Sequence, residues 1–245
     1  MKTMDYTILE NRCIARQVFR LVLAADTADF EPGGEFVNLA LDGFFLRRPL
    51  SVCDSAPGRL TLLYKVVGEG TEALRGMTPG MRLNLLTGLG KAFDASRCER
   101  RALLVGGGLG AAPLYPLCRE LAAAGKERTV VLGFGSAEDI VLENEFRALC
   151  PDTRIVTMDG SAGTAGLVTD ALKELSPDFD FYYTCGPAVM MQAVCRLLGP
   201  GGQASLEERM GCGAGYCWCC TCKTTGGPRR TCTDGPVFDA DKIVW

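Results

Sequence analysis

The run MGCGAGYCWCCTCKTTGGPRRTC, closed by the turn-forming TDGP, holds six of the 13 cysteines in this chain. Cys212, Cys217 and Cys220 stand at C-x4-C-x2-C, the ligand spacing of a plant-type [2Fe–2S] loop, with Cys232 as the fourth thiolate. Irons of this kind prefer thiolates, and a tight loop that wraps three of them around a small inorganic core needs backbone freedom, which Gly211, Gly213 and Gly215 supply. One-electron chemistry is the leading expectation. A zinc ribbon would use two separated C-x2-C pairs, whereas Cys217/Cys220 and Cys219/Cys222 overlap. A disulfide framework needs an oxidising compartment, and MKTMDYTILENRC carries charges throughout with no apolar stretch of signal-peptide length. By spacing alone either Cys219 or Cys222 can replace Cys220, so the ligand set stays open at this point.

The rest of the sequence must position such a centre. At 245 residues the chain has room for two compact domains and a small metal-stapled appendage. A net charge of -3 with interspersed signs offers no basic stripe to nucleic acid, and no apolar run reaches bilayer-spanning length, so a soluble, cytoplasmic protein is expected. There is no histidine, which excludes Rieske ligation, Ser-His-Asp catalysis and the usual zinc-enzyme ligands together.

Short apolar or alternating stretches at Tyr6 to Leu9, Phe19 to Ala24, Phe36 to Leu41, Leu60 to Val67 and Met81 to Leu86 predict strands. Turn signals at Pro32, Ala56 and Thr78 punctuate them, and the pattern predicts a small antiparallel barrel. From Arg101 the rhythm changes to apolar strands, ALLVGGG, TVVLGFG, TRIVTMDG and FDFYYTCGP, alternating with helix-length segments. That alternation predicts a doubly wound parallel sheet with ligands at the carboxyl ends of its strands. A linker is expected after Leu198, through GPGG to LEERM. The expected domains are residues 1–96, 97–203 and 204–245.

Gly106, Gly108 and Ala111 satisfy G-x-G-x-x-G/A at the end of the first sheet strand, where a pyrophosphate can meet a helix N-terminus. Glycine-rich turns also arise for packing alone. Glu138 and Asp139 follow the second strand, where carboxylates would accept from a ribose and repel a 2′-phosphate, favouring NAD over NADP; ordinary helix N-termini carry acids too. Arg48-Pro49-Leu50-Ser51, expected to follow a barrel strand, offers a planar cation beside a hydroxyl, and Gly70-Thr71 offers donors at a helix start, a pair suited to a diphosphate; a surface arginine before a turn and a simple capped helix are the ordinary readings of the two.

In this order and separation, RPLS, GEGT, GGGLGAAPL, YYTCGPAVMMQ and MGCGAGYCWCC…TDGPVF resemble the electron-transfer subunits of NAD-dependent, two-subunit dihydroorotate dehydrogenases, within the ferredoxin reductase-like flavoproteins, over nearly the whole chain. The resemblance implies an N-terminal FAD-binding β-barrel, a nicotinamide-binding α/β domain and a C-terminal [2Fe–2S] module. It implies FAD contacts at Arg48, Pro49, Leu50, Ser51, Leu63, Tyr64, Lys65, Gly70 and Thr71, and cluster ligands Cys212, Cys217, Cys220 and Cys232. Leu50 stands where the wider reductase group often has tyrosine. Cys185 resembles a cysteine near the nicotinamide in related reductases, although a strand-end cysteine is ordinarily just buried. The implied partner is an FMN-containing catalytic subunit in a heterotetramer of two of each, with electrons passing through the cluster and FAD to NAD+ during dihydroorotate oxidation in pyrimidine biosynthesis. An equivalent subunit of an NAD(P)H:ferredoxin or sulfur-reducing complex is the alternative reading, and a non-catalytic redox or metal sensor is a third.

Overall fold

A computed structural model describes residues 1–25, 35–175 and 178–245. The turn expected at Pro32 lies outside them. The first strands are β1 (Lys2–Ala15), β2 (Val18–Ala24), β3 (Phe36–Ala40), β4 (Arg48–Ala56), β5 (Arg59–Lys65) and β6 (Arg82–Leu89), with helix α1 (Glu69–Arg75) between the last two. They close an antiparallel barrel in the order β1-β2-β5-β4-β3-β6. The alternation of apolar residues explains the closure, because Leu21, Leu23, Val37, Leu39, Leu60, Leu62 and Leu85 all reach one interior and are fully buried there. Each contributes about 1.5–3 kcal/mol over an exposed position.

One strand escaped the sequence reading. Arg48–Ser51 opens β4 rather than following a strand. Pro49 and the run Cys53-Asp54-Ser55 obscure its alternation, and β4 bulges between Val52 and Asp54.

The second unit alternates β7 (Arg101–Gly107), α2 (Ala111–Ala123), β8 (Glu127–Phe134), α3 (Glu143–Leu149), β9 (Thr153–Thr157), β10 (Thr164–Ala165), α4 (Val168–Glu174), β11 (Phe181–Cys185), α5 (Ala188–Leu198) and β12 (Gly202–Ser205). The sheet order is β10-β9-β8-β7-β11-β12, parallel throughout, and it reverses direction of growth between β7 and β11. The core on one face takes in α2 and α3, and the core on the other takes in α4 and α5. The segment expected as a linker carries β12, whose four residues are all buried.

The last residues form a hairpin, β13 (Thr221–Thr224) with β14 (Gly227–Arg230), and then β15 (Val237–Asp239). Strand β15 adds antiparallel to β12, so the cysteine-bearing segment is stitched into the large sheet. Barrel and sheet units are held together by α2 lying on β4, by Arg119 paired with Asp54, and by Arg16 paired with Asp139. No helix among the described residues is long and apolar enough to cross a membrane.

Candidate functional site

The cysteine loop sits against the outer wall of the barrel. Cys220 and Cys232 pack in one buried cluster with Phe36 and Leu89. Cys212 and Cys217 form a second pair, with the Cys212 N–H donating to Cys217 Sγ at 3.3 Å and the Ala214 N–H to Cys212 Sγ at 3.4 Å. The backbone permits this because Gly213 and Gly215 adopt φ of +68° and +88°. Trp218 takes the same left-handed region at +57° and is held there by the Arg230 guanidinium, 4.7 Å from its ring centroid, and by Thr221 Oγ1 donating to its carbonyl at 2.6 Å. Arg230 also donates to the Gly215 carbonyl at 2.8 Å.

Among the described residues no three His, Cys, Asp or Glu side chains gather closely enough to hold a single metal ion. The four thiols nevertheless influence one another, Cys212 with Cys217 and Cys232 with both Cys220 and Cys212, and four thiolates are what a [2Fe–2S] cluster takes. Their protonation differs across the pairs. Burial works against ionising Cys212, but the N–H groups of Ala214, Cys217 and Tyr216 and the Cys217 thiol outweigh it and bring Cys212 down to about 6. Burial, followed by the adjacent Cys220, pushes Cys232 up to about 11. Cys212 is therefore primed as a ligand, and Cys232 must release a proton when metal binds. Buried polar atoms around the loop also fit an additional group. Asn38 Nδ2 and Oδ1, Thr231 Oγ1 and Thr233 Oγ1 have no hydrogen-bond partner, and of the other described side chains only Arg128 Nε is in that condition.

The two further cysteines of the loop differ in their surroundings, and Cys219 shares its exposure with Cys217. Cys222 points into the core on the far side with Ala240 and Ile243, where burial raises its thiol, and Cys219 is exposed.

Some of the residues expected to hold FAD flank a place where the β4–β5 ladder stops. Strand β4 pairs with β3 over Arg48–Ser51 and switches to β5 only from Val52 onward, opposite Leu62. Had the β4–β5 ladder continued, Ser51 would oppose Leu63, Leu50 would oppose Tyr64 and Pro49 would oppose Lys65; instead these two edges do not pair. The seam presents backbone donors and acceptors to whatever lies in it. At its end the Arg48 guanidinium covers Gly70 so closely that any Cβ there would collide with it, and Arg48 stacks over Phe44 at 4.5 Å. Thr71 Oγ1 accepts from the Val67 and Gly68 N–H groups at 2.9 and 3.2 Å, ordering the start of α1. The Tyr64 ring is not in the seam: it is buried in the barrel, stacked on Phe19, and its hydroxyl donates to Asn11 Oδ1 at 2.9 Å. Leu50 likewise packs on the barrel core.

Lys65 connects the seam to a cleft of about 530 Å³ at the carboxyl ends of the sheet strands, lined also by Gly108, Gly135, Asp139, Met158 and Val189. Of the glycine-motif positions only Gly108 lines it. Gly106 packs against Leu132 and Leu114, and Ala111 is fully buried at the start of α2. Asp139 is 10% exposed and already engaged, 2.6 Å from Arg16, 3.6 Å from Lys65 and bonded by Ser136 Oγ at 3.1 Å. Burial raises its carboxyl, but Arg16, Ser136 and Lys65 together hold it below the ordinary carboxylate range. The Glu138 side chain remains 73% exposed.

Residues 207–244 match the iron–sulfur cluster binding domain of dihydroorotate dehydrogenase B, and residues 104–196 match the oxidoreductase NAD-binding domain. The electron transfer subunit of dihydroorotate dehydrogenase B (NAD(+)) from Fusobacterium nucleatum subsp. nucleatum is 37% identical, covering 99% of each chain. That from Geobacillus sp. (strain WCH70) is 40% identical over 100% of this chain and 99% of its own. The chain belongs to the family of dihydroorotate dehydrogenase B electron transfer subunits. Among solved structures, an NADH-dependent reduced ferredoxin–NADP oxidoreductase superposes with a TM-score of 0.88 at 31% identity, covering 98% of this chain and 90% of its own. Phthalate dioxygenase reductase shares the fold, with a TM-score of 0.69 at 17% identity over 91% and 87% of the two chains.

For a family member, the structure adds positions that the sequence reading passed over. A Cβ on Gly110 would collide with the Cys185 carbonyl, so Gly110, like the ladder partner Gly106, lies against the end of β11. Cys185 itself is buried, with its thiol pushed up by that burial and further by the charge of Glu207, while the Ser205 hydroxyl works the other way. Glu207 is exposed as a residue, yet desolvation around its carboxyl raises its pKa. Its position just past β12, in LEERM, was the available signal. Asn38 was a second omission, since one asparagine inside an apolar strand carries no motif.

Proposed function

We propose that the chain passes electrons between a catalytic partner and NAD+ in the oxidation of dihydroorotate to orotate, in the cytoplasm. When bound, FAD exchanges one-electron traffic at an iron–sulfur centre for the two-electron hydride chemistry of nicotinamide. The observation that carries the reading is the continuity of three sites. Strand β3 supports the cysteine loop, its neighbour β4 forms one edge of the seam, and Lys65 at the end of β5 opens the seam onto the cleft.

In this reading Cys212, Cys217, Cys220 and Cys232 hold the cluster. Arg48, Gly70 and Thr71 hold the FAD diphosphate, and the edges Pro49–Ser51 and Leu63–Lys65 grip the flavin through backbone groups and Lys65. Gly106, Gly108 and Ala111 shape the nucleotide turn, Glu138 accepts from the ribose, and Cys185 lies beside the nicotinamide. The domains are residues 1–96, 97–203 and 204–245. The partner is an FMN-containing subunit, two of each forming a heterotetramer. Exposed Tyr216 and Trp218, 80% and 53% accessible beside Cys217, support docking at the cysteine loop, because exposed aromatic anchors are characteristic of interfaces.

The chain purified anaerobically should carry one FAD and two irons, and with its co-expressed partner should reduce NAD+ in a dihydroorotate-dependent manner. Zinc in place of iron, or colourless protein, would refute the cofactor assignment. The 31% identity to a ferredoxin–NADP oxidoreductase structure favours one second reading, a subunit serving ferredoxin. Electron transfer to ferredoxin with no dihydroorotate-dependent turnover would select it.

A further inference from the structure

Asn38 is 1% exposed, and neither end of its carboxamide has a hydrogen-bond partner. Burying such a group unpaired costs about 1–3 kcal/mol, so a residue of this kind in an otherwise apolar strand points to a polar group that it serves. Its surroundings identify that group. On β3, Val37 and Leu39 face the barrel interior, so Phe36 and Asn38 share the opposite face. Phe36 packs on Cys220 and Cys232, and a Cβ on Gly213, next to Cys212, would fall on Asn38 Nδ2. Across the ladder Phe36 pairs with Ser51 and Asn38 with Pro49, two residues of the seam. The Asn38 backbone carbonyl is taken by Arg47 Nη1 at 3.1 Å, which fixes the strand while leaving the side chain uncommitted.

We propose that Asn38 is a positioning residue shared by both cofactor sites, hydrogen-bonding the cluster side with its amino group and the flavin side with its carbonyl, and thereby setting the potential difference between the two centres. This rests on the cofactor reading given above. A carboxamide suits the task because it offers two donors and an acceptor and does not titrate near neutral pH. A donor aimed at cluster sulfur stabilises the more negative, reduced form and raises its potential. A residue that only filled space would be replaced by leucine, of similar size, with no electrochemical consequence.

The test is redox titration of the anaerobic holoprotein, following the cluster by EPR and the flavin by absorbance, in wild type, Asn38→Leu and Asn38→Ser. Asn38→Leu should retain iron and FAD while the cluster potential falls by the equivalent of roughly tenfold in the reduced-to-oxidised ratio, about 59 mV for one electron. Asn38→Ser, which keeps a donor, should recover part of the shift. Wild-type potentials in a fully loaded Asn38→Leu would overturn the inference and leave the cofactor reading standing. If Asn38→Leu does not load, Asn38→Ala, which also lacks the carboxamide, carries the measurement, and unchanged potentials there overturn it equally. Wild-type protein lacking iron or flavin would remove both.

Discussion

The cysteine loop and the nucleotide cleft are prepared for charge in opposite ways. Around the loop, polar atoms of Asn38, Thr231 and Thr233 are buried without partners, and one thiol is pulled down to about 6 while another is pushed up to about 11. At the cleft, the enclosed carboxylate of Asp139 is already satisfied by Arg16, Lys65 and Ser136. A site built for a group that stays can leave its polar atoms to be completed by that group. A site visited by a substrate that must leave is better built self-sufficient, since each visit would otherwise create and abandon strong contacts.

The most severe test of this contrast is ligand removal. Cys217→Ser should abolish cluster assembly, read as loss of iron and of the reduced-state EPR signal, while FAD remains, because the seam lies on the barrel strands. Cys222→Ser should keep the full iron content, since that thiol faces Ala240 and Ile243. Iron retained in the first variant, or lost in the second, would break the division between ligating and spare cysteines.

The seam should behave as a resident site, with a smaller effect. Arg48→Ala removes a cation lying over Gly70, and charge-assisted hydrogen bonds of this kind are worth about 1.5–3 kcal/mol, or roughly ten- to a hundredfold in FAD affinity. Flavin release monitored by fluorescence on dilution would measure it. Unchanged affinity would detach Arg48 from the diphosphate and weaken the pairing of RPLS with GEGT.

What was legible follows from which property carried the signal. The ligand spacing and the change from period-two strands to strand–helix alternation depend on residue type, so the cysteine module, the barrel and the parallel sheet could all be read. Strand β4 was missed because Pro49 and its bulge disturb the alternation, and β12 because Gly201 and Gly202 look like punctuation when flanked by Pro200. The seam was beyond reach, since it consists of a ladder that stops, and a missing backbone pairing leaves no residue type behind. Spacing alone does not choose among Cys219, Cys220 and Cys222, because all three fall within four residues and differ only in which way the loop turns them.

The cleft should show the smallest effects, and they should separate two adjacent acids. Glu138 is exposed and loosely placed 3.6 Å from Arg16, so Glu138→Gln should shift the preference for NADH over NADPH only a few-fold, measured with ferricyanide as acceptor. Asp139→Asn should leave that preference alone and instead loosen the hold of Arg16 on the sheet unit, lowering the melting temperature at pH 7. The sign with pH follows from its depressed pKa. A carboxylate held below its ordinary value stabilises the fold above the unfolded-state value and loses that contribution as pH falls through the folded one. The melting difference between wild type and Asp139→Asn should therefore shrink as the pH drops below about 4, the ordinary aspartate value. A difference that persisted in acid would mean that the aspartate acts through packing, and a change in nucleotide preference would return it to the ribose site.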